Sequence, residues 1–416
     1  MKEFEWGIVG GGIAGISVSE ILTREGHEVV LIEKNKKLAS ETTRDFHEWI
    51  HTGALYTLIP DRLITLKFVI GAIDDLIEYY SSYERMNLVP TSSGLDINIG
   101  SNQNWFSPNY INFRYRLKRR KLVLPWLFGV ARSICINEKL HQHDWLRRRA
   151  GELDPIKKDL WKNAIKMIPD LIKSNKKFYN LKTTDFTTNS RVLLRDIVTT
   201  AIENSLHVSL GNKVMNYEKI NSNKYIIHGE SESFKVKNMV ICAGDSTTKF
   251  VDGRIKTSYA PIAIVNGINP NTDSFVELDY FPKNCINILT KDDDIALIGG
   301  ISLSDKEKCD EYIEYVIKKH KQLNPDLRLI KKYIGRKTEM IFQNQDRNYL
   351  FHIKRIHHDQ NLWYILPGKF TLGFSLAPEF YRRVYNKNPK KHFKTFTDTG
   401  SYSKIVADTV WHDSIN

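Results

Sequence analysis

The chain has 416 residues, 41% of them hydrophobic, 11% aromatic and 26% charged. That length predicts two domains, and the composition excludes long disorder as the default. The net charge of +13 predicts attraction to anions: a phosphorylated or carboxylated substrate, anionic lipid or nucleic acid.

Cys135, Cys242, Cys285 and Cys309 are scattered, with no C-x-x-C pair. This argues against a zinc or iron–sulfur centre and against a disulfide framework, and it fits a reducing cytoplasm. The first motif begins almost at once, so no signal peptide is expected. No apolar run approaches the ~20 residues needed to cross a bilayer.

From the N-terminus, residues 4–9 read as a short buried strand. Gly10-Gly11-Gly12-Ile13-Ala14-Gly15 follows, then Ile16, Val18, Ile21 and Leu22 at helical spacing. Gly26 ends that helix, Val29 to Ile32 forms a second strand, and Glu33 closes it with Lys34 behind. This strand–turn–helix–strand context is what a dinucleotide fingerprint requires. Gly10 permits the turn, Gly12 lets a pyrophosphate approach the backbone, and Gly15 lets helix and strand pack closely. The first-turn amides, including those of Ile13 and Ala14, present a positive dipole end to the phosphates. A carboxylate at Glu33 suits the adenosine ribose hydroxyls and repels a 2′-phosphate.

The fingerprint alone leaves NAD and FAD open. A simple NAD enzyme continues in β/α units of similar length. Here a helix face (Val192, Leu193, Ile197, Val198, Ile202), a short strand at Val208 and Leu210, and Val214 come late. The apolar strand Met239 to Cys242 then ends in Ala243-Gly244. Such a late return is what two-domain flavoproteins show, which favours FAD.

With these residues in hand, the chain resembles the D-amino-acid oxidase superfamily of FAD enzymes, nearest its glycerol-3-phosphate dehydrogenase and L-2-hydroxyglutarate dehydrogenase branches. Residues 50–56, Ile-His-Thr-Gly-Ala-Leu-Tyr, resemble the family segment that runs beside the flavin ring. Thr42 and Thr43 stand where those branches place small hydroxylated residues near the pyrophosphate. Asp45 replaces the family's usual arginine, and Phe46, His47 and Glu48 also depart from the pattern. Leu63, Leu66, Ile70, Ile73 and Ile77 match the helix that follows. Gly335-Arg336 resembles the Gly-x-Arg-Pro region whose arginine grips a substrate anion, although one residue is missing and Lys337 replaces the proline. Gly368-Lys369-Phe370-Thr371, after the strand Leu362 to Leu366, resembles a Gly-Lys-Leu-Thr segment at the flavin's pyrimidine edge. Leu376-Ala377-Pro378 is expected to open a helix, with proline in its first turn.

The resemblance implies an α/β (α+β) chain: a Rossmann-like FAD-binding domain (1–85, 186–254 and 336–416) and a mainly antiparallel-sheet substrate domain (86–185 and 255–335). Strands are expected at 286–289 and 295–298, the latter ending at Gly299-Gly300. The implied reaction is oxidation of a C–OH or C–NH bond in a small anion (a 2-hydroxy acid, polyol phosphate or amino acid), with hydride passing to flavin N5 and then to oxygen, a quinone or another acceptor. Arg336 is the expected anchor, because guanidinium binds such anions bidentately. His51 is the candidate base, its imidazole titrating near neutrality, or a structural histidine. His47 is a second polar candidate, and an His47/His51 metal pair lacks a third ligand, so no metal is expected.

Residues 115–121, Tyr-Arg-Leu-Lys-Arg-Arg-Lys, adjoin a largely apolar run at 122–130 that contains Pro125 and Trp126. The pair reads as a solvated basic edge or as a peripheral membrane contact at the inner face. Arg147, Arg148 and Arg149, with Lys331 and Lys332, add basic patches. Two further functions stay open. A tRNA-modifying flavoenzyme would suit the charge, although no separate RNA motif is present and nucleic acid is not the expected partner. The other is flavin binding without catalysis.

Overall fold

A computed structural model of the chain describes residues 1–51, 56, 64–91, 94–97, 103–116, 178–221, 223–251, 255–269, 272–279, 282–292, 294–341, 350–356, 359–402 and 404–415. The chain opens with β1 (Glu3–Val9), α1 (Ile13–Arg24) and β2 (Val29–Glu33). Short α2 (Thr42–Asp45) and β3 (Trp49–Ile50) precede α3 (Ile64–Tyr80). A two-stranded ribbon, β4 (Leu88–Thr91) and β5 (Gly94–Ile97), leads to the long strands β6 (Phe106–Arg116) and β7 (Phe178–Thr188). Next come α4 (Ser190–Glu203), β8 (His207–Leu210), β9 (Val214–Asn221), β10 (Lys224–Gly229) and β11 (Ser233–Ile241). The chain continues through β12 (Ile255–Asn266), β13 (Ser274–Asp279), β14 (Ile286–Asp292), β15 (Ile295–Gly300), α5 (Cys309–Leu323) and β16 (Arg328–Met340). It finishes with β17 (His352–Arg355), β18 (Leu362–Leu366), α6 (Gly373–Tyr385) and short α7 (His412–Ile415).

Two eight-stranded sheets carry the fold. In the first, the order β18-β11-β1-β2-β8 is parallel throughout. β17 closes one edge antiparallel, and β9 and β10 extend β11 as a meander. β1, continuous and apolar from Trp6, is buried on both faces, as a central parallel strand requires. α1 covers one face and is itself enclosed by α3, α4 and α6, so every one of its residues is buried. Ile16, Val18, Ile21 and Leu22 each contribute ~1.5–3 kcal/mol by leaving water. Total enclosure also traps Glu20 and Arg24. They satisfy each other at 2.6 Å, and Arg24 donates to the Tyr79 carbonyl at 2.8 Å.

The second sheet runs β16-β12-β15-β14-β13-β6-β7-β3 and is antiparallel except at β13/β6. Its side-chain alternation separates two faces. Ala263, Val265, Ile286, Ile288, Ala296 and Ile298 pack with α5. Ile262, Ile264 and Leu297 pack instead with Trp411. The first sheet and its helices meet this second face, and the cleft between them holds the site.

The domain limits expected at residues 186 and 336 fall inside β7 and β16, because a strand's hydrogen bonds ignore a boundary drawn from motifs. The 376–378 helix starts earlier, at Gly373, out of a 3-10 turn at Phe370–Leu372, so Pro378 lies in the second turn rather than the first. Of residues 50–56 only Ile50, His51 and Tyr56 are described. The basic and apolar run at 117–130, Cys135, and Arg147 to Arg149 lie outside the described residues. Among the described residues no helix is long and apolar enough to cross a membrane.

Candidate active site

The glycine turn opens the cleft. Gly10 has φ 106°, where a side chain would be strained. A Cβ on Gly15 would stand 1.9 Å from the Gly10 carbonyl oxygen, so helix and turn pack at a distance only glycine allows. Gly12, at the N-cap of α1, supplies no side-chain cap. The Ile13 amide instead donates to Thr43 Oγ1 at 3.0 Å. Thr43 thereby binds the segment after β2 to the start of the helix.

Glu33 ends β2 with its carboxylate buried at the cleft. Oε2 accepts the Gly11 amide at 2.6 Å, and Oε1 accepts the Asn35 amide at 2.9 Å and its side-chain amide at 2.6 Å. A carboxylate offers about four acceptor positions, so capacity remains for a hydroxyl. Lys34 pairs with Glu41 at 2.7 Å.

From this end a cleft of about 530 Å³ runs towards the second sheet. Gly10, Gly12, Ile13, Ala14, Glu33, Lys34, Thr42, Thr43, Val214, Ala243, Gly244, Gly368, Lys369 and Phe370 all line it. Gly15 lies beneath the turn rather than in the lining. Thr371 is buried behind the wall, where its hydroxyl accepts the His51 amide at 3.0 Å and donates to the Trp49 carbonyl at 3.3 Å. The glycine turn at the helix start, the buried acid at the end of β2 and a long groove with apolar walls fit the two halves of a flavin dinucleotide. They would hold FAD with its ADP end at Glu33 and its ring towards Lys369.

At the far end His51 is 7% exposed. Nδ1 lies 3.4 Å from Asp185 Oδ2, which also accepts the Trp49 indole N–H at 2.9 Å. The Trp49 and Tyr56 rings flank the imidazole at 4.3 and 5.2 Å. Burial pushes the His51 pKa down to about 4; Asp185 pulls against it, while the charges of Lys369 and Lys337 add to it. His51 is therefore a neutral imidazole at neutral pH. With Nδ1–H given to Asp185, Nε2 carries the lone pair.

Arg336 is placed elsewhere. It is opposite Tyr259 on β12, half-exposed, and pairs with Asp245 at 3.3 Å and Glu41 at 4.0 Å. The next residue, Lys337, points the other way, into the cleft. It is 7% exposed and pairs with Glu339 at 2.5 Å. The missing residue between Gly335 and Arg336 explains the shift: Lys337 is two residues from the glycine, on the same face of the strand. Lys369, its ammonium 5.1 Å from the Tyr56 ring centroid, is the second cation here. The cation that β16 turns into the cleft is thus Lys337 rather than Arg336.

Sequence reasoning missed Asp185, whose only signal was an acid in a strand of threonines. It also missed the base of the site. Glu48 and Lys291 form a fully buried pair at 2.8 Å. Burial alone would raise the Glu48 carboxyl, but Lys291 and hydrogen bonds from Ser190 and Trp411 hold it below its usual range. Lys291 also donates to the His47 carbonyl at 2.8 Å. Residues 47–48 are thereby clamped between β14 and the segment that bears Trp411. Asp45 is pushed up to about 6, chiefly by burial.

Residues 5–379 match the model of the FAD-dependent oxidoreductase family. No curated protein matches the chain by sequence. Among solved structures, the fold is similar to L-alpha-glycerophosphate oxidase from Mycoplasma pneumoniae with FAD bound (15% identity, 99% of this chain and 100% of that one, TM-score 0.62). It is likewise similar to glycine oxidase from Geobacillus kaustophilus (12%, 95% and 97%, 0.63). L-proline dehydrogenase from P. horikoshii is a third (13%, 94% and 95%, 0.64).

Proposed function

The chain belongs to the FAD-dependent oxidoreductase family, and from that premise we propose that it oxidises a C–OH or C–NH bond of a small anionic substrate. The observation that carries the reading is His51: a buried neutral imidazole backed by Asp185, beside Lys337 and Lys369, in a cleft continuous with the glycine turn. The solved neighbours named for glycerophosphate, glycine and proline chemistry support this range of substrates.

Lys337 and Lys369 draw the anionic end of the substrate into the cleft. Fixing that end orients the reacting carbon and removes the entropy of a bimolecular encounter. His51 Nε2 takes the proton of the reacting O–H or N–H, and Asp185 holds the tautomer that leaves this nitrogen free. The Trp49 and Tyr56 rings exclude water from the imidazole. FAD, when bound, supplies the acceptor for the two electrons, transferred as hydride. Lys369, whose ammonium lies at this end of the cleft, would offset negative charge there.

The test is the visible spectrum of the purified protein, followed by anaerobic addition of 2-hydroxy acids, polyol phosphates and amino acids. Flavin colour that bleaches with one of these classes, and bleaches at least roughly a hundredfold more slowly in His51→Gln, is the expected result. A protein that neither carries nor takes up FAD, or whose flavin no compound bleaches, overturns the proposal.

A further inference from the structure

Two buried polar atoms in the substrate half of the cleft have no hydrogen-bond partner among the described residues: His47 Nε2 and Asn287 Oδ1. Both side chains line the cleft, and Asn287 is only 4% exposed. Leaving a buried polar group unpaired is unfavourable, so two together at one wall call for an explanation.

Strand register brings them together. Asn287 on β14 pairs directly with Gly299 on β15, so their side-chain directions share one face of the sheet. That face is the one opposite Ile286 and Ile288, which pack on α5. A Cβ on Gly299 would lie 2.8 Å from His47 Nε2. The imidazole edge therefore occupies the space left by the missing side chain, on the sheet face that carries Asn287. Val276, on the other side of Asn287, lines the same wall with apolar surface. The Lys291 and Glu48 clamp behind His47 holds its backbone in place.

The chemistry of the pair selects its ligand. Asn287 Oδ1 is an acceptor, so an anionic oxygen is disfavoured there. Burial and the charge of Lys291 push His47 down to about 3, so it is a neutral imidazole with one donor and one acceptor nitrogen. Lys291, Lys337 and Lys369 around the cleft disfavour a cation. A hydroxyl suits both atoms: it can donate to Oδ1 and, with the His47 proton on Nε2, accept from that nitrogen.

We infer that His47 and Asn287 form a hydroxyl-recognition subsite, and that the substrate is an anion bearing a hydroxyl additional to the group that His51 deprotonates. This places it in the polyhydroxylated class, a polyol phosphate or polyhydroxy acid. The inference rests on the proposed oxidation of an anion in this cleft.

The FAD-loaded protein would be reduced anaerobically with pairs of compounds differing by one hydroxyl: glycerate against lactate, glycerol 3-phosphate against propane-1,2-diol 1-phosphate, and serine against alanine. The expected result is a second-order reduction rate roughly tenfold to a hundredfold higher for the hydroxylated member of the best pair. Asn287→Ala should bring that ratio towards one with FAD content unchanged. Gly299→Ala, which displaces His47, should do the same and guards against a folding defect in the first variant. Equal rates within every pair, or a preference that survives both variants, overturns the subsite while leaving the oxidation standing. A flavin that no compound reduces overturns both.

Discussion

Asp185 Oδ2 receives two donors at once, the Trp49 indole at 2.9 Å and His51 Nδ1 at 3.4 Å. One carboxylate thus orients both the candidate base and the ring that stacks on it. Asp185→Asn would present an amide donor to His51 and favour the opposite tautomer, with the proton on Nε2. Flavin reduction should slow roughly a hundredfold or more, as when the orienting acid of a triad is lost, with FAD content unchanged. Stopped-flow reduction measures this, and an unaltered rate removes Asp185 from the site.

Acid should destabilise the fold through its histidines. His51, His320, His352 and His412 are held down to about 4 and His47 to about 3, in each case chiefly by burial. Below the usual imidazole range the unfolded chain takes up protons that the folded chain refuses. Stability is therefore full above about pH 6.5 and falls as pH drops towards 4, by up to roughly 1.4 kcal/mol per pH unit for each such group. Asp45, raised to about 6, acts in the opposite sense, as do Glu20 and Asp196, whose carboxyls burial also raises. Urea midpoints at several pH values test this, and a flat profile between 6.5 and 4.5 contradicts it.

Gly12 and Gly15 should respond differently to alanine.

For Gly15→Ala the new Cβ meets the Gly10 carbonyl oxygen at 1.9 Å, and backbone must move. For Gly12→Ala the nearest atom is Thr43 Oγ1 at 3.3 Å, which a small side-chain shift accommodates. Gly15→Ala should destabilise the apoprotein by more than about 3 kcal/mol. Gly12→Ala should leave stability within about 1 kcal/mol yet weaken FAD binding at least roughly tenfold by obstructing the pyrophosphate. Thermal melts of apoprotein and flavin titration separate the two effects.

Lys337→Met and Arg336→Met should differ in kind. The first removes a cation from the cleft wall and should raise KM for an anionic substrate roughly tenfold or more. The second removes a half-exposed residue already paired to Asp245 and Glu41, and should leave KM within about twofold. The reverse ranking would restore Arg336 as the anchor.

Lys291→Met would leave the Glu48 carboxylate buried without its cation. Breaking such a pair costs about 3–5 kcal/mol, part of it recoverable in the double variant with Glu48→Gln. A double-mutant cycle on urea stability measures the coupling, and additivity would contradict it.

The nucleotide end of the cleft was legible because it is local. Strand, turn, helix and acid lie within the first 33 residues, and their periodicities are visible without tertiary information. The substrate end was not, because its geometry comes from strand register. Whether Arg336 or Lys337 faces the cleft depends on which of them pairs opposite Tyr259 or Ser258. Asn287 meets His47 only through Gly299, and neither spacing nor composition relates 47, 287 and 299. Glu48 appeared only as a departure from a family pattern, since its partners, Lys291, Ser190 and Trp411, are distant in sequence.

The Trp411 hydrogen bond to Glu48 spans 363 residues of sequence. Around it, Ile405 and Ala407 pair with Leu38, and Arg44 binds Asp413 at 2.5 Å. During synthesis the glycine turn leaves the ribosome first, yet the segment after β2 gains these supports only when residue 413 has emerged. Cofactor capture should therefore await residues 405–413: nascent chains stalled before residue 405 should hold flavin weakly, however complete their glycine motif.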